Sequence, residues 1–254
     1  MTPPANSPSP SELTAWDRDH NLHPWGGLGT WKQDEYQRLN TGDGVYLWDS
    51  EGKRFIDGPG GMWCVQIGYG REEMAEAIAD QVRKMVYASP WSSTSEPAAI
   101  LARKIAERTP GDLNNVHYTT CGSTAVDTAL RTVGLYNNVL GRPEKKRILS
   151  REKAYHGSTY LASSMTGKER FKTRFDKAQD IVHFLPDVNP NLRPDGMSPD
   201  DWCDAKIEEM EKIILELDPD TIGGFIAEPI LCSGGVIVPP KGYHAKTLEL
   251  CRKY

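Results

Sequence analysis

The spacing of apolar positions changes period along this chain. Residues 44–49 and 54–57 are short runs rich in apolar and aromatic residues, two strand candidates. Ser50-Glu51-Gly52-Lys53 between them has turn chemistry, so two strands joined as a hairpin are predicted. From Arg71 the period lengthens: Met74, Ile78, Val82, Met85 and Val86 fall on one helical stripe. Ser95-Glu96-Pro97 supplies a cap, an acid and a first-turn proline for a second helix, which runs to Arg108 and stops at Pro110-Gly111. Residues 116–120 read as a short strand. A helix follows at once and reaches about Leu140, with Val126, Ala129, Leu130 and Val133 on one face. Strands are predicted again at 147–150, 181–185 and 221–227. A turn into a short helix is predicted at 155–159, a long helix after Ser198 carries Ile207, Met210, Ile214 and Leu217, and a last helix spans 242–254.

This alternation from Arg71 onward predicts an α/β fold with a mainly parallel sheet, whose ligands gather at the carboxyl ends of the strands. Two stretches stand outside it. Residues 58–64, Gly58-Pro59-Gly60-Gly61-Met62-Trp63-Cys64, are too rich in glycine for the interior of a helix or strand and suit a close backbone approach. The Pro- and Ser-rich residues 1–13 read as a flexible tail. The Trp16, His20, His23, Pro24, Trp25 and Trp31 segment, with Gly26, Gly27 and Gly29, argues against regular helix and for packing on a larger surface.

Composition narrows the function. The 254 residues carry a net charge of -5 and 38% hydrophobic residues, a soluble globular balance. The only basic run, Lys145-Lys146-Arg147, reads as a solvated loop before a strand, so nucleic acid is not the expected partner. The five cysteines are scattered, odd in number and without a C-x-x-C pair, which points to reduced thiols in the cytoplasm and to no metal site. No apolar run approaches the roughly 18 residues that span a bilayer, and the N-terminus lacks the apolar segment of a secretory signal.

Three groups follow predicted strand ends, and this shared placement is the reason to treat them as one site. Gly122 and Ser123 open a helix whose free N–H groups and positive dipole end suit a phosphate, and Thr124 adds a hydroxyl. Tyr155 offers a flat face to stack on an aromatic group, and His156 beside it a hydrogen-bonding ring. Glu228 ends an uncharged six-residue run, where a carboxylate must be paired, hydrogen-bonded or at a cleft. Trp63 and Trp91 lie in loops and could wall a pocket. The plainer alternatives are a strand-turn-helix corner at Gly122, packing roles for Tyr155 and both tryptophans, and a rim salt bridge for Glu228.

In order, residues 44–49 (Gly-Val-Tyr-Leu-Trp-Asp), Met62-Trp63-Cys64-Val65, Gly68-Tyr69-Gly70, Cys121-Gly122-Ser123, Tyr155-His156-Gly157-Ser158-Thr159 and Ala227-Glu228-Pro229-Ile230 form a series. With Gly234-Gly235-Val236 and Pro239-Pro240, the series resembles the N-terminal half of a class III aminotransferase, a pyridoxal-phosphate (PLP) enzyme of fold type I, and most the omega-amine:pyruvate branch. The resemblance runs from about His23 to Tyr254. It implies that Gly122 and Ser123 form a phosphate cup, that Tyr155 stacks on the pyridine ring with His156 beside it, and that Glu228 lies near ring and substrate. It implies a substrate-side Trp63, and a Trp91 facing a partner subunit's pocket in a homodimer.

The resemblance further implies a division into a tail (1–22), an N-terminal segment belonging to a small domain (23–70) and an incomplete cofactor-binding large domain (71–254). The family usually has an acid after glycine-serine; here Thr124 stands there. The Schiff-base lysine, the aspartate at the pyridine nitrogen and the substrate-carboxylate arginine are expected beyond Tyr254, so no catalytic residue is nominated and the chain is expected to be part of a longer polypeptide. The activity implied is amino transfer from an amine or omega-amino acid to a keto acid such as pyruvate. An aminomutase or decarboxylase of the same fold, or a non-catalytic binding fragment, are the alternatives.

Overall fold

The computed structural model describes residues 8–254 apart from Trp25, Trp31, Asp34, Glu35, Lys172 and Arg174, so the expectations for residues 1–7 and for those two tryptophans lie outside the described residues. The chain forms two compact units, Met1–Lys104 and Ile105–Tyr254.

The first unit begins with helix α1, Pro10–His20, in a stretch read as tail and irregular segment. A capping box starts it. Ser9 Oγ accepts the Glu12 N–H at 3.3 Å, the Glu12 carboxylate accepts the Ser9 N–H at 2.8 Å, and Pro10 occupies the first turn. These local signals outweigh the irregular spacing of the aromatic residues. Strands β1 (Leu39–Asp43), β2 (Tyr46–Asp49) and β3 (Arg54–Ile56) form an antiparallel sheet in that order. The β2–β3 hairpin is the one predicted. β1 was not anticipated, because Leu39-Asn40-Thr41-Gly42-Asp43 has little strand propensity and is held by pairing to β2.

The glycine-rich loop is not irregular. Its residues Gly60–Trp63 form a single turn, α2, that is left-handed throughout, with φ of 57°, 59°, 55° and 67°. L-residues disfavour this hand by about 1–2 kcal/mol each, so Met62 and Trp63 are held in it against their preference. Helix α3, Glu72–Lys84, follows, and its predicted stripe of Met74, Ile78 and Val82 is exposed. Helix α4 spans Glu96–Ala106.

The second unit contains α5 (Gly122–Val139), β4 (Arg147–Arg151), α6 (Tyr160–Ser164), β5 (Val182–Leu185), α7 (Pro199–Glu216), β6 (Ile222–Phe225) and α8 (Tyr243–Lys253). The strands make a parallel sheet in the order β5-β4-β6, with Leu149 opposite both His183 and Phe225. The central strand β4 is buried along four of its five residues, as a parallel strand covered on both faces must be. Leu149, Leu185, Met210, Ile214 and Leu250 tie β4 and β5 to α7 and α8, each burial stabilising by roughly 2 kcal/mol. Ala154, Val188, Cys203, Leu231, Ile237 and Tyr243 form a second cluster.

One strand expectation is corrected. Residues 116–119 are not in a ladder with any described strand, although their apolar pattern predicted one. A strand needs a hydrogen-bonded neighbour as well as a suitable side-chain pattern. Gly122 and Ser123 therefore follow a segment outside the described strands, while Tyr155 and Glu228 do follow true strands, β4 and β6.

Candidate functional site

Within the second unit, three loops converge. The first is the N-terminus of α5. Eighteen residues of aligned peptide dipoles end at Gly122, and the first N–H groups of such a helix have no intrahelical acceptor. A side chain at Gly122 would meet nothing within 4 Å, so the approach to these groups is open. Thr124 folds back on the cap: its Oγ1 accepts the Cys121 N–H at 3.1 Å. Hydrogen bonding from Thr124 in turn holds the Cys121 thiol below its ordinary pKa.

The second loop leaves β4 at Arg151 and reaches α6. Its Ser158 N–H donates to Ser123 Oγ at 3.0 Å, which joins it to the start of α5 and leaves the Ser123 hydroxyl its own proton to donate. Gly157 makes the approach possible. Its φ is 137°, and a Cβ there would lie 2.6 Å from Ser123 Oγ and 2.7 Å from Ala162 Cβ. The junction is locked by Asp127 on α5, whose Oδ1 accepts Thr159 Oγ1 at 2.8 Å and the Ala162 N–H at 3.0 Å.

The third loop leaves β6. The half-buried Glu228 sets one carboxylate oxygen, Oε1, 2.9 Å from the Tyr155 N–H, so this acid is satisfied by backbone rather than by a described salt bridge. Arg151, fully buried, donates to the Glu228 carbonyl and lies 5.9 Å from the Tyr243 ring. Burial lowers the Arg151 pKa and pushes the Tyr243 hydroxyl up to about 12.

His156 donates its backbone N–H to Thr166 Oγ1 at 3.1 Å. Burial, and then the nearby Arg151 charge, push its imidazole down to about 4, so it is neutral near pH 7. Its Nε2 is buried and has no hydrogen-bond partner among the described residues. A buried polar nitrogen without a partner is costly, and a bound group that supplied one would relieve that cost.

Five of the seven expected residues, Gly122, Ser123, Tyr155, His156 and Glu228, thus fall in one region of one unit. Trp63 and Trp91 lie in the other unit and are 57% and 94% exposed, so core packing does not account for either. Asp127, Arg151 and Thr166 were missed. Asp127 had a signal, being the one charge in the stretch from Tyr118 to Leu130. Arg151 and Thr166 had none, because their partners lie 77 and 10 residues away.

The region brings together an open helix terminus with a serine hydroxyl, Tyr155, a neutral histidine with an unpartnered nitrogen among the described residues, and a carboxylate. Residues 31–254 match the family model described as aminotransferase class-III, and the chain belongs to this family. Its fold is the PLP-dependent fold type I, and the cofactor of the family is pyridoxal 5'-phosphate.

The chain is 38% identical over 247 residues to the putrescine–pyruvate aminotransferase of Pseudomonas aeruginosa, covering 96% of this chain and 54% of that protein. It superimposes on the (S)-enantioselective omega-transaminase of Thermomicrobium roseum with a TM-score of 0.93 at 34% identity, covering 98% of this chain and 56% of that one. The omega-transaminase of Pseudomonas jessenii in complex with PMP gives a TM-score of 0.91 at 32% identity, covering 95% and 54%. The chain therefore spans about half the length of these relatives. No described helix is long and apolar enough to cross a membrane.

Proposed function

We propose that the whole protein transfers an amino group from an amine or omega-amino acid to a keto acid such as pyruvate. The observation that carries this reading is the joining of the α5 N-terminus, the Tyr155–Ser158 loop and Glu228 by the Ser158–Ser123 and Tyr155–Glu228 hydrogen bonds. The family and the named reactions of its relatives support the amino-transfer chemistry.

In this reading Gly122 and Ser123 hold the cofactor phosphate by backbone N–H and hydroxyl, with the helix dipole favouring its charge. Tyr155 covers the face of the ring. His156, kept neutral by burial, offers Nε2 to the bound group without adding a second positive charge beside Arg151. Glu228 holds the Tyr155 backbone with one carboxylate oxygen, which leaves the other to serve ring and substrate. Bound there, pyridoxal phosphate supplies the electron sink for the transfer, while the protein orients and tunes it. Trp63 and Trp91 are the residues this reading gives to the donor, and large apolar side chains suit a donor without an α-carboxylate.

The same reading assigns residues 23–70 to a small domain and 71–254 to part of the large domain, with α1 preceding both. It makes the protein a cytoplasmic homodimer. The free cysteines support the compartment, and the exposed Trp91 and α3 stripe support a second subunit.

The test is the mass of the full-length gene product after incubation with pyridoxal phosphate and borohydride reduction, together with turnover of an amine with and without pyruvate. One reduced adduct on a lysine and strict dependence on the keto acid are expected. Turnover without keto acid, or no specific adduct, would overturn the transaminase assignment.

A further inference from the structure

We propose that Asp57 and Tyr69 are positioning residues that set donor preference by locking the left-handed turn that carries Trp63. The proposal rests on the reading of Trp63 as a donor-facing residue and goes on to say what aims it.

The argument starts from an unfavourable backbone. Four consecutive residues, Gly60–Trp63, lie in the left-handed region, and two of them carry side chains. Such a run persists only where its surroundings over-determine it. Packing does not: Met62 is 64% exposed and Trp63 57%, so neither side chain is seated in a core that would hold the turn. Hydrogen bonds do. Trp63 N–H donates to the Pro59 carbonyl at 3.0 Å and Val65 N–H to the Gly60 carbonyl at 3.0 Å, which close the turn on itself.

One carboxylate oxygen then ties the turn to the sheet. Asp57 Oδ2 accepts the Gly61 N–H at 2.7 Å and the Tyr69 hydroxyl at 2.6 Å. Both ends of this lock are anchored. The Asp57 N–H donates to the Val45 carbonyl at 2.9 Å, and Tyr69 exchanges paired backbone bonds of 2.8 and 3.0 Å with Gly44. The segment from Gly60 to Gly68 is thus held at its start and just past its end by a single oxygen, next to strand β3. Gly61 must be glycine for this to close, since its φ is 59° and a Cβ would lie 2.6 Å from Val65 Cγ2. The hydrogen bond to Asp57 also pushes the Tyr69 hydroxyl above its ordinary pKa.

The consequence is that the direction of the Trp63 indole is set by backbone conformation and not by side-chain packing. Removing the lock lets the turn relax toward the right-handed region that L-residues prefer, which re-aims Trp63. The effect on an apolar donor wall is a change in discrimination between bulky and slim donors, with no change in cofactor retention.

The experiment uses the full-length protein and compares kcat/KM for an arylalkylamine and a short aliphatic diamine. Tyr69→Phe deletes one oxygen and keeps the ring, so it carries the test even where Asp57→Ala does not fold. Tyr69→Phe is expected to shift the donor ratio by roughly threefold to tenfold, chiefly through KM and in the same direction as Trp63→Ala, with the cofactor absorbance unchanged. Asp57→Asn, which keeps an acceptor oxygen, is expected to retain most of the wild-type ratio. In a Trp63→Ala background Tyr69→Phe is expected to add nothing. If Trp63→Ala shifts the ratio but Tyr69→Phe does not, or adds to it independently, the lock is refuted while the donor wall stands. If Trp63→Ala leaves the ratio unchanged, the donor-wall reading fails and the lock falls with it.

Discussion

Ser123 Oγ accepts the backbone N–H of Ser158 at 3.0 Å, across 35 residues of sequence. This one bond joins the start of α5 to the loop that follows β4. It makes a serine in the first turn of α5 the meeting point of two loops. Replacing Ser123 with alanine removes the acceptor of Ser158 and the hydroxyl proposed to meet a phosphate. Retention of pyridoxal phosphate is expected to weaken roughly tenfold, and further when Tyr155 is also lost. Equilibrium dialysis followed by cofactor absorbance measures it; unchanged retention in the double variant would refute the phosphate cup.

Gly157→Ala tests the same junction from the other side. The new Cβ would sit 2.6 Å from Ser123 Oγ at a φ of 137°. A destabilisation of about 1–3 kcal/mol and a parallel loss of cofactor affinity are expected, read by thermal melting and by titration.

Glu228 is expected to tolerate glutamine better than alanine in folding. Glutamine keeps an oxygen for the Tyr155 N–H, whereas alanine leaves that half-buried donor without its 2.9 Å partner. A difference of about 1–3 kcal/mol between the two variants in denaturant unfolding is the expected outcome, and equal stabilities would show that the bond contributes little.

His156 should impose a pH dependence on stability. Its folded pKa is depressed to about 4 from an ordinary 6.5, so between those values the unfolded chain binds a proton that the folded chain does not. Stability from this group is complete above about pH 6.5 and is lost as the pH falls toward 4, by at most roughly 3 kcal/mol. His156→Asn should flatten the unfolding free energy across that window relative to the parent; an unchanged slope would show that the ring is not buried neutral.

The sequence by itself determined much of the local structure. Caps and periodicity predicted α3, α5, α7 and α8 to within a few residues, and the turn residues predicted the β2–β3 hairpin, because each signal acts within a few residues of chain. The Ser9–Glu12 capping box at α1 is an equally local signal, set among tryptophans whose spacing is not helical. Cys121-Gly122-Ser123, Tyr155-His156 and Glu228 were legible as chemistry because small, aromatic and acidic residues stood at the ends of apolar runs.

Only the tertiary structure decided which of those runs are strands and what the loops do together. Residues 116–119 have a strand's pattern and no ladder among the described residues, since pairing depends on a neighbour that no local pattern encodes. Asp127, Arg151 and Thr166 act through partners distant in sequence, and the left-handed hand of Gly60–Trp63 depends on an oxygen of Asp57 shared with Tyr69. Those contacts exist only once the chain has closed on itself, because side chains and backbone groups far apart in sequence hydrogen-bond only when the fold brings them within about 3 Å.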